Sequence, residues 1–284
     1  MLRMTFLIFI GFVLSACEPA DKAEVANQTT NSEASTEDAS SDPVAYYEYL
    51  WCKRGENWTQ EASLEFVTDW NAEIDKLENT SSAFGYGPRG WTDDRFDGLW
   101  VLRWPDKATS EAGWSEYQAS GAQDRLDAKY PAHLECGNTP GADRFGFEVY
   151  TPMGTPDGFA VNHPVGGEPY FLENQFCSYK EGKSADDLRS VVMGEFVPNI
   201  ESGRADGMYA SYWFLVGAPD FEGEDVADFN WINFWDSAED AQRESSFFEE
   251  SEEGKAIMEN FYGTVDCTEF QPWDGYVIRM ADPA

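Results

Sequence analysis

Four tryptophans, two glutamates and four cysteines recur at fixed offsets, and they carry the spacing that chemistry would need. Trp100 and Trp104 return as Trp231 and Trp235, 131 residues later. Residues four apart on a strand share one face. Each pair therefore offers two indoles to one side of a sheet, either as core packing or as the wall of an aromatic-lined pocket. Glu48 returns as Glu173 at an offset of 125, and each stands four residues before a cysteine, Cys52 or Cys177. A carboxylate kept on a strand in both copies is either a perturbed acid in a pocket, or else solvent-facing or paired with Arg or Lys; the latter is the expectation. Asp93-Asp94-x-x-Asp97 recurs as Glu224-Asp225-x-x-Asp228. Clustered oxygens suit a hard cation, but the spacing is not that of an EF-hand, so solvated acidic turns are expected and no metal site. The two histidines, His133 and His163, sit in connecting segments without a local motif, and each reads as a packing or loop residue. The chain has no Gly-rich phosphate loop, no Gly-x-Ser-x-Gly elbow, no Cys-x-x-Cys and no His-Glu-x-x-His, so these residues imply no cofactor and leave open whether the protein is an enzyme.

The elements that position these side chains also repeat. Asp97-Gly-Leu-Trp-Val-Leu-Arg-Trp104 aligns with Asp228-Phe-Asn-Trp-Ile-Asn-Phe-Trp235, and the same offset of 131 carries Ser120 to Ser251 and Cys136 to Cys267. Such register marks an internal duplication. Each copy reads as an aromatic-rich strand (Tyr46 to Cys52), a helix (Ser63 to Leu77; Leu188 to Ile200) and a second strand (Ser81 to Gly87; Tyr209 to Gly217). A third strand, a second and longer helix, and a last strand (Arg144 to Tyr150; Gly275 to Met280) follow. The order β-α-β-β-α-β is that of a ferredoxin-like split unit. The fold class is therefore α+β with two tandem ferredoxin-like repeats.

Five cysteines are present. Residues 1–16 carry one charge, Arg3, and an apolar run that ends in Leu14-Ser15-Ala16-Cys17. A run of this length has the build of a secretory signal and is too short for a stable spanning helix. It resembles the lipobox of bacterial lipoproteins, which implies cleavage before Cys17 and lipidation of Cys17. Glu18 at the next position implies sorting to the outer membrane. Export implies disulfides for the other four cysteines. The pairing that respects the duplication is Cys52–Cys136 and Cys177–Cys267, and neighbouring first and last strands would bring each pair together.

The segment from Phe234 through Ser251, and its counterpart from Trp104 through Ser120, resemble the strand-to-second-helix segment of dimeric α/β-barrel proteins. That superfamily includes antibiotic-biosynthesis-monooxygenase-like and stress-responsive barrel proteins. The resemblance implies two ferredoxin-like units packed sheet against sheet within one chain. It also implies an aromatic pocket between sheet and helices, which cofactor-independent monooxygenases of this fold line with Asn, Trp and Tyr. Some haem-degrading members take an axial histidine from the second helix. Here His133 is matched in the second copy by Thr264, so a haem role is not expected.

The chain has 53 acidic and 19 basic residues and a net charge of -34. Loss of the leader removes Arg3 and no acid, so the mature chain is one unit more negative. Such a charge excludes counterion-release binding to nucleic acid and adsorption to anionic lipid through a basic patch. The lipid bilayer is then met only through acylated Cys17. The expected organisation is a signal peptide (1–16), a lipidated flexible tether (17–42), repeat 1 (43–152), a linker (153–167) and repeat 2 (168–284). The expected function is that of a cell-envelope lipoprotein that binds an apolar or aromatic small ligand, or a partner protein, in a cavity built on Trp100, Trp104, Trp231, Trp235, Glu48 and Glu173. The alternative is a cofactor-independent, monooxygenase-like enzyme acting on an aromatic substrate.

Overall fold

The computed structural model of the chain describes residues 42–137, 139–156 and 162–281. The expected signal peptide, Cys17 and all but the last residue of the expected tether lie outside the described residues. Repeat 1 contains β1 (Ala45–Arg54), α1 (Gln60–Ile74), β2 (Ser82–Pro88), β3 (Gly98–Trp104), α2 (Lys107–Ser120), α3 (Ala122–Lys129), β4 (Leu134–Cys136) and β5 (Arg144–Tyr150). Repeat 2 contains β6 (Tyr170–Tyr179), α4 (Ala185–Val191), a π-helical turn (Val192–Phe196), α5 (Val197–Ala205), β7 (Trp213–Pro219) and β8 (Phe229–Trp235). It ends with α6 (Ala238–Glu250), α7 (Glu252–Thr264), β9 (Val265–Cys267) and β10 (Gln271–Arg279).

Within each repeat the first strand lies between the third and the last, so the strand order is that of a ferredoxin-like unit. The units then join edge to edge. β5 pairs with β7, and β10 pairs with β2 as well as β6. Eight antiparallel strands therefore close into one barrel, which leaves no long free edge. Alternation divides the side chains between two environments. On β1, Tyr47 and Tyr49 point into the barrel, where they join Val101, Phe147, Tyr170, Leu215, Phe234 and Trp273 in a core supplied by all eight strands. Tyr46, Leu50 and Cys52 point outward under the helices of repeat 1 and pack with Trp70, Trp100 and Trp104. The corresponding outer face of repeat 2 packs Phe171, Phe214, Trp231 and Trp235 under its own helices. The strands read as nearly continuous apolar runs because both of their faces are covered.

Both disulfides join the residues expected from the duplication, Cys52 to Cys136 and Cys177 to Cys267. Each second cysteine ends a short strand absent from the sequence reading, β4 on β1 and β9 on β6, and directly faces its partner in register.

Three local expectations change. The long second helix of each repeat is two helices. In repeat 1 Gly121 breaks it, with φ at 66°, a left-handed value that glycine adopts at little cost. In repeat 2 Ser251 breaks it in extended backbone, and its hydroxyl caps α7 by accepting from the Gly254 amide. The first helix of repeat 2 carries a π-helical turn that repeat 1 lacks. That turn adds one residue, so the 125-residue offset of the strand becomes 126: Trp70 matches Phe196 and Ile74 matches Ile200. The second strand of repeat 2 begins at Trp213, not at Tyr209, where φ is positive at 39° and the chain is still turning.

Candidate functional site

Each repeat holds a cavity between its sheet and its helices, and the repeated tryptophans line both. In repeat 1 the cavity measures about 970 Å³, with Trp70, Trp100, Trp104, Trp114, Tyr117 and Phe66 on its walls. It opens past polar residues such as Lys53, Gln123 and Asp127.

Glu48 organises this site from behind. It lies on the outward face of β1, opposite Leu102 of β3 and Gly146 of β5. The carboxylate is 4% exposed, so the solvent-facing alternative of the sequence reading does not hold. Its pairing with a basic residue does: Arg144 Nε sits 3.3 Å from Oε1. Oε2 accepts three hydrogen bonds, from Trp104 Nε1 at 2.8 Å, Ser110 Oγ at 2.8 Å and Trp114 Nε1 at 2.7 Å. A buried carboxylate is tolerated when its lone pairs are filled and a countercharge is near. Here the same bonds fix two indoles that form the cavity wall. The Arg144 guanidinium also stacks over Trp114 at 4.3 Å, a cation–π contact that fixes the second indole further.

α2 reaches this close because of Gly113. A Cβ there would lie 2.4 Å from Trp104 Cζ3, far inside van der Waals contact. Around the rim, Tyr130 donates its hydroxyl to Asp69 at 2.5 Å. Burial, helped by Asp127 and Glu73, pushes the Tyr117 hydroxyl up to about 12, so the phenol stays neutral.

The cavity of repeat 2 is smaller, about 150 Å³. Phe196, on the π-helical turn, lines it where Trp70 lines the cavity of repeat 1. Its ring meets Tyr212, Phe214, Trp231 and Phe248 edge-on at 5.3–6.2 Å. π-turns are frequent at functional sites. The acid has also moved. Glu173, the match of Glu48, is half-buried and lines the cavity without an indole bonded to it. Desolvation raises its pKa, with Glu249 adding repulsion. The buried carboxylate here is Glu244, 2% exposed, at the position that Gly113 holds in repeat 1. Asn233, which matches Leu102, accepts from Tyr212 Oη at 2.9 Å and Trp231 Nε1 at 2.7 Å.

The other candidates serve structure. Asp97 accepts from the Arg54 amide at 2.8 Å, and Asp228 accepts from the Tyr179 amide at 2.6 Å. The acidic hairpins thus tie the third strand of each repeat to the first. Arg95 closes on Asp93 and holds its carboxyl down at about 2. Among the described residues, no group of three or more His, Cys, Asp and Glu is placed to hold a metal ion. His133 is buried against Phe66 and Tyr130, with Nε2 3.3 Å from Ser63 Oγ. His163 contacts Asp236 at 3.2 Å.

Sequence reasoning located Trp100, Trp104 and Glu48 but missed Ser110, Trp114 and Arg144, the groups that complete the carboxylate's shell. It also missed Asn233, Glu244 and Phe196. The signal lay in positions where the copies differ, Gly113 against Glu244 and Leu102 against Asn233.

No protein-family model matches the chain, and the comparison with curated proteins gives no match. Among solved structures, the chain is similar to a mutant chlorite dismutase from Candidatus Nitrospira defluvii in complex with cyanide, at 13% identity and a TM-score of 0.47, over 83% of this chain and 92% of that one. It is similar to a candidate monooxygenase from Lactobacillus acidophilus NCFM at 9% identity and a TM-score of 0.45, over 84% of this chain and all of that one. The fold itself is an α+β arrangement of two ferredoxin-like repeats closed into one antiparallel barrel.

Proposed function

We propose that this is a cell-envelope lipoprotein, anchored in the outer membrane through acylated Cys17, that binds an apolar or aromatic small molecule in the cavity of repeat 1. One observation carries the binding reading: a cavity of about 970 Å³ whose indole walls are locked by a buried carboxylate. Ligand sites commonly measure about 300–1,000 Å³, with apolar walls and few polar groups. Pre-set aromatic walls bind with little ordering cost. Glu48 is spent on two indoles, a hydroxyl and a guanidinium, so it holds the wall and does not abstract a proton.

The anchor rests on the lipobox-like leader and on a charge that repels anionic lipid. A partner protein in place of a small molecule is the competing occupant.

A second reading, cofactor-independent oxygenation of an aromatic substrate, has one observation in its favour. Asn233, Tyr212 and Trp231 meet in the cavity of repeat 2, and these are the residue types the resemblance implied. There the Asn233 carbonyl is occupied by the other two side chains, which makes it a brace, so the binding reading stands first.

The test is titration of the full chain with N-phenylnaphthylamine, a neutral aromatic fluorophore. Saturable one-to-one binding is expected, weakened at least tenfold by Leu77→Trp, which places a large side chain into the cavity from a partly exposed wall position. Binding that ignores this substitution, or no saturable binding, refutes the site.

A further inference from the structure

Among the described residues, two buried polar atoms in the cavity of repeat 2 are without partners. Trp235 is 3% exposed, and its Nε1–H finds no acceptor. Glu244 turns Oε1 toward Ser211, whose amide and hydroxyl both lie 3.4 Å away, and toward Arg243 Nη2 at 3.1 Å. Its Oε2 has no partner. Leaving such groups buried and unpaired is costly, so their persistence in one cavity points to something that completes them. Both residues line this one cavity. Tyr212 packs its ring on Trp235 at 5.2 Å, and the adjacent Ser211 holds Glu244.

The charged residues that line the cavity have one sign. Glu173, Glu244 and Glu249 line the cavity, and among the described residues no Lys, Arg or His does. Arg243 is occupied by Asp240 and Glu244 Oε1, while Arg204 donates to the backbone carbonyls of Tyr209 and Tyr212. Aromatic rings make up much of the remaining wall, among them Trp231, Trp235, Tyr212, Phe196 and Phe248. Aromatic faces with carboxylates behind them are the surroundings that favour an organic ammonium ion, whose charge the ring quadrupoles attract. The indole N–H adds a requirement for one acceptor oxygen. The volume, about 150 Å³, matches that of an engineered cavity that admits a single benzene ring.

We propose that repeat 2 binds a small organic ammonium ion bearing one hydroxyl or ether oxygen. The cation sits among the rings and faces Glu244 Oε2, with Glu173 and Glu249 toward the surface. The oxygen accepts the Trp235 indole proton. This site is separate from the cavity of repeat 1, and neither site requires the other.

The probe is choline, compared by calorimetry with dimethylbutanol, its neutral carbon isostere, on the full chain. Choline is expected to bind one-to-one and at least tenfold more tightly than the isostere. Glu244→Gln and Trp235→Phe should each weaken choline at least tenfold. Glu173→Gln, at a half-buried position that tolerates a neutral side chain, should weaken it about threefold and serves if the buried variants do not fold. N-phenylnaphthylamine binding in repeat 1 should be unchanged in all three. Co-sedimentation with phosphatidylcholine vesicles that is lost in Glu244→Gln would identify the ammonium of a lipid headgroup as the source. Choline binding without co-sedimentation identifies a free solute. Equal binding of choline and its isostere overturns the proposal, and so does absence of choline binding at millimolar concentration.

Discussion

Replacing Glu48 by Gln keeps the shape of the side chain and removes its charge, so it isolates what the carboxylate contributes. A Gln side chain can aim its carbonyl oxygen at Trp104, Ser110 and Trp114, the three donors that now meet Oε2. Its amide N–H groups then face Arg144 Nε, which lies 3.3 Å from Oε1, and donor meets donor. Bonds to a charged acceptor contribute about 1.5–3 kcal/mol each and neutral ones about 0.5–1.5. Three such exchanges lose roughly 3 kcal/mol. Arg144, whose side chain is 14% exposed, also loses its countercharge. Breaking a buried pair on one side costs about 3–5 kcal/mol. That figure overlaps the first, so the combined expectation is a loss of about 3–5 kcal/mol. This is a large share of a typical domain's stability of about 5–15 kcal/mol. Urea unfolding followed by tryptophan fluorescence measures the loss, and the Trp104 and Trp114 indole N–H resonances in a nitrogen-15 correlation spectrum report the cause. Both resonances should move upfield as their acceptor loses charge. Ser110→Ala removes one donor and should cost only about 1 kcal/mol. A loss below about 1 kcal/mol for Glu48→Gln, with both indole resonances in place, would refute the view that this carboxylate holds the wall.

Three further outcomes follow from individual contacts. Gly113→Ala should destabilise by about 1–2 kcal/mol in thermal unfolding, although Ala is favoured over Gly in a helix by about 1 kcal/mol, because the added Cβ strikes Trp104, which Glu48 holds in place; a gain in stability would show that Trp104 can yield. Reduction of either disulfide should cost about 4–5 kcal/mol in the chain-entropy treatment, since the loops span 84 and 90 residues, and Cys177→Ser with Cys267→Ser measured in urea checks it, a loss under about 1 kcal/mol counting against it. Glu244 has its pKa raised above the ordinary 4.5 by burial. The native state therefore holds its proton longer than the unfolded chain. The stability this provides is complete below about pH 4.5 and is lost as pH rises through the folded value. Glu244→Gln should thus gain stability relative to the parent as pH climbs above 4.5, and a difference that is flat with pH would contradict the assignment.

Much of this architecture was legible because duplication writes it twice. Trp100 and Trp231 cannot drift independently when both pack beneath helices, and the cysteines keep register because each must face its partner strand. What escaped was of two kinds. β4 and β9 are three residues long, too short to show a period. The second helices read as unbroken because their apolar spacing runs past Gly121 and Ser251, where backbone geometry and a cap decide the break. For the site, the sequence separates Glu48 from Ser110, Trp114 and Arg144 by most of a repeat, and only the pairing of β5 with β1 and the docking of α2 bring them together. Of the two alternatives expected for Glu48, pairing with a basic residue holds in Arg144 and solvent exposure does not: alternation puts it on the outer face of the barrel, but α2 covers that face.

The most direct measurement is native mass spectrometry of the full chain purified gently from the cells that express it. One retained apolar molecule per chain is expected, lost in Leu77→Trp and kept in Glu244→Gln. A wild-type chain that carries nothing, and that accepts no hydrophobic molecule from an envelope extract, would contradict binding in the cavity of repeat 1.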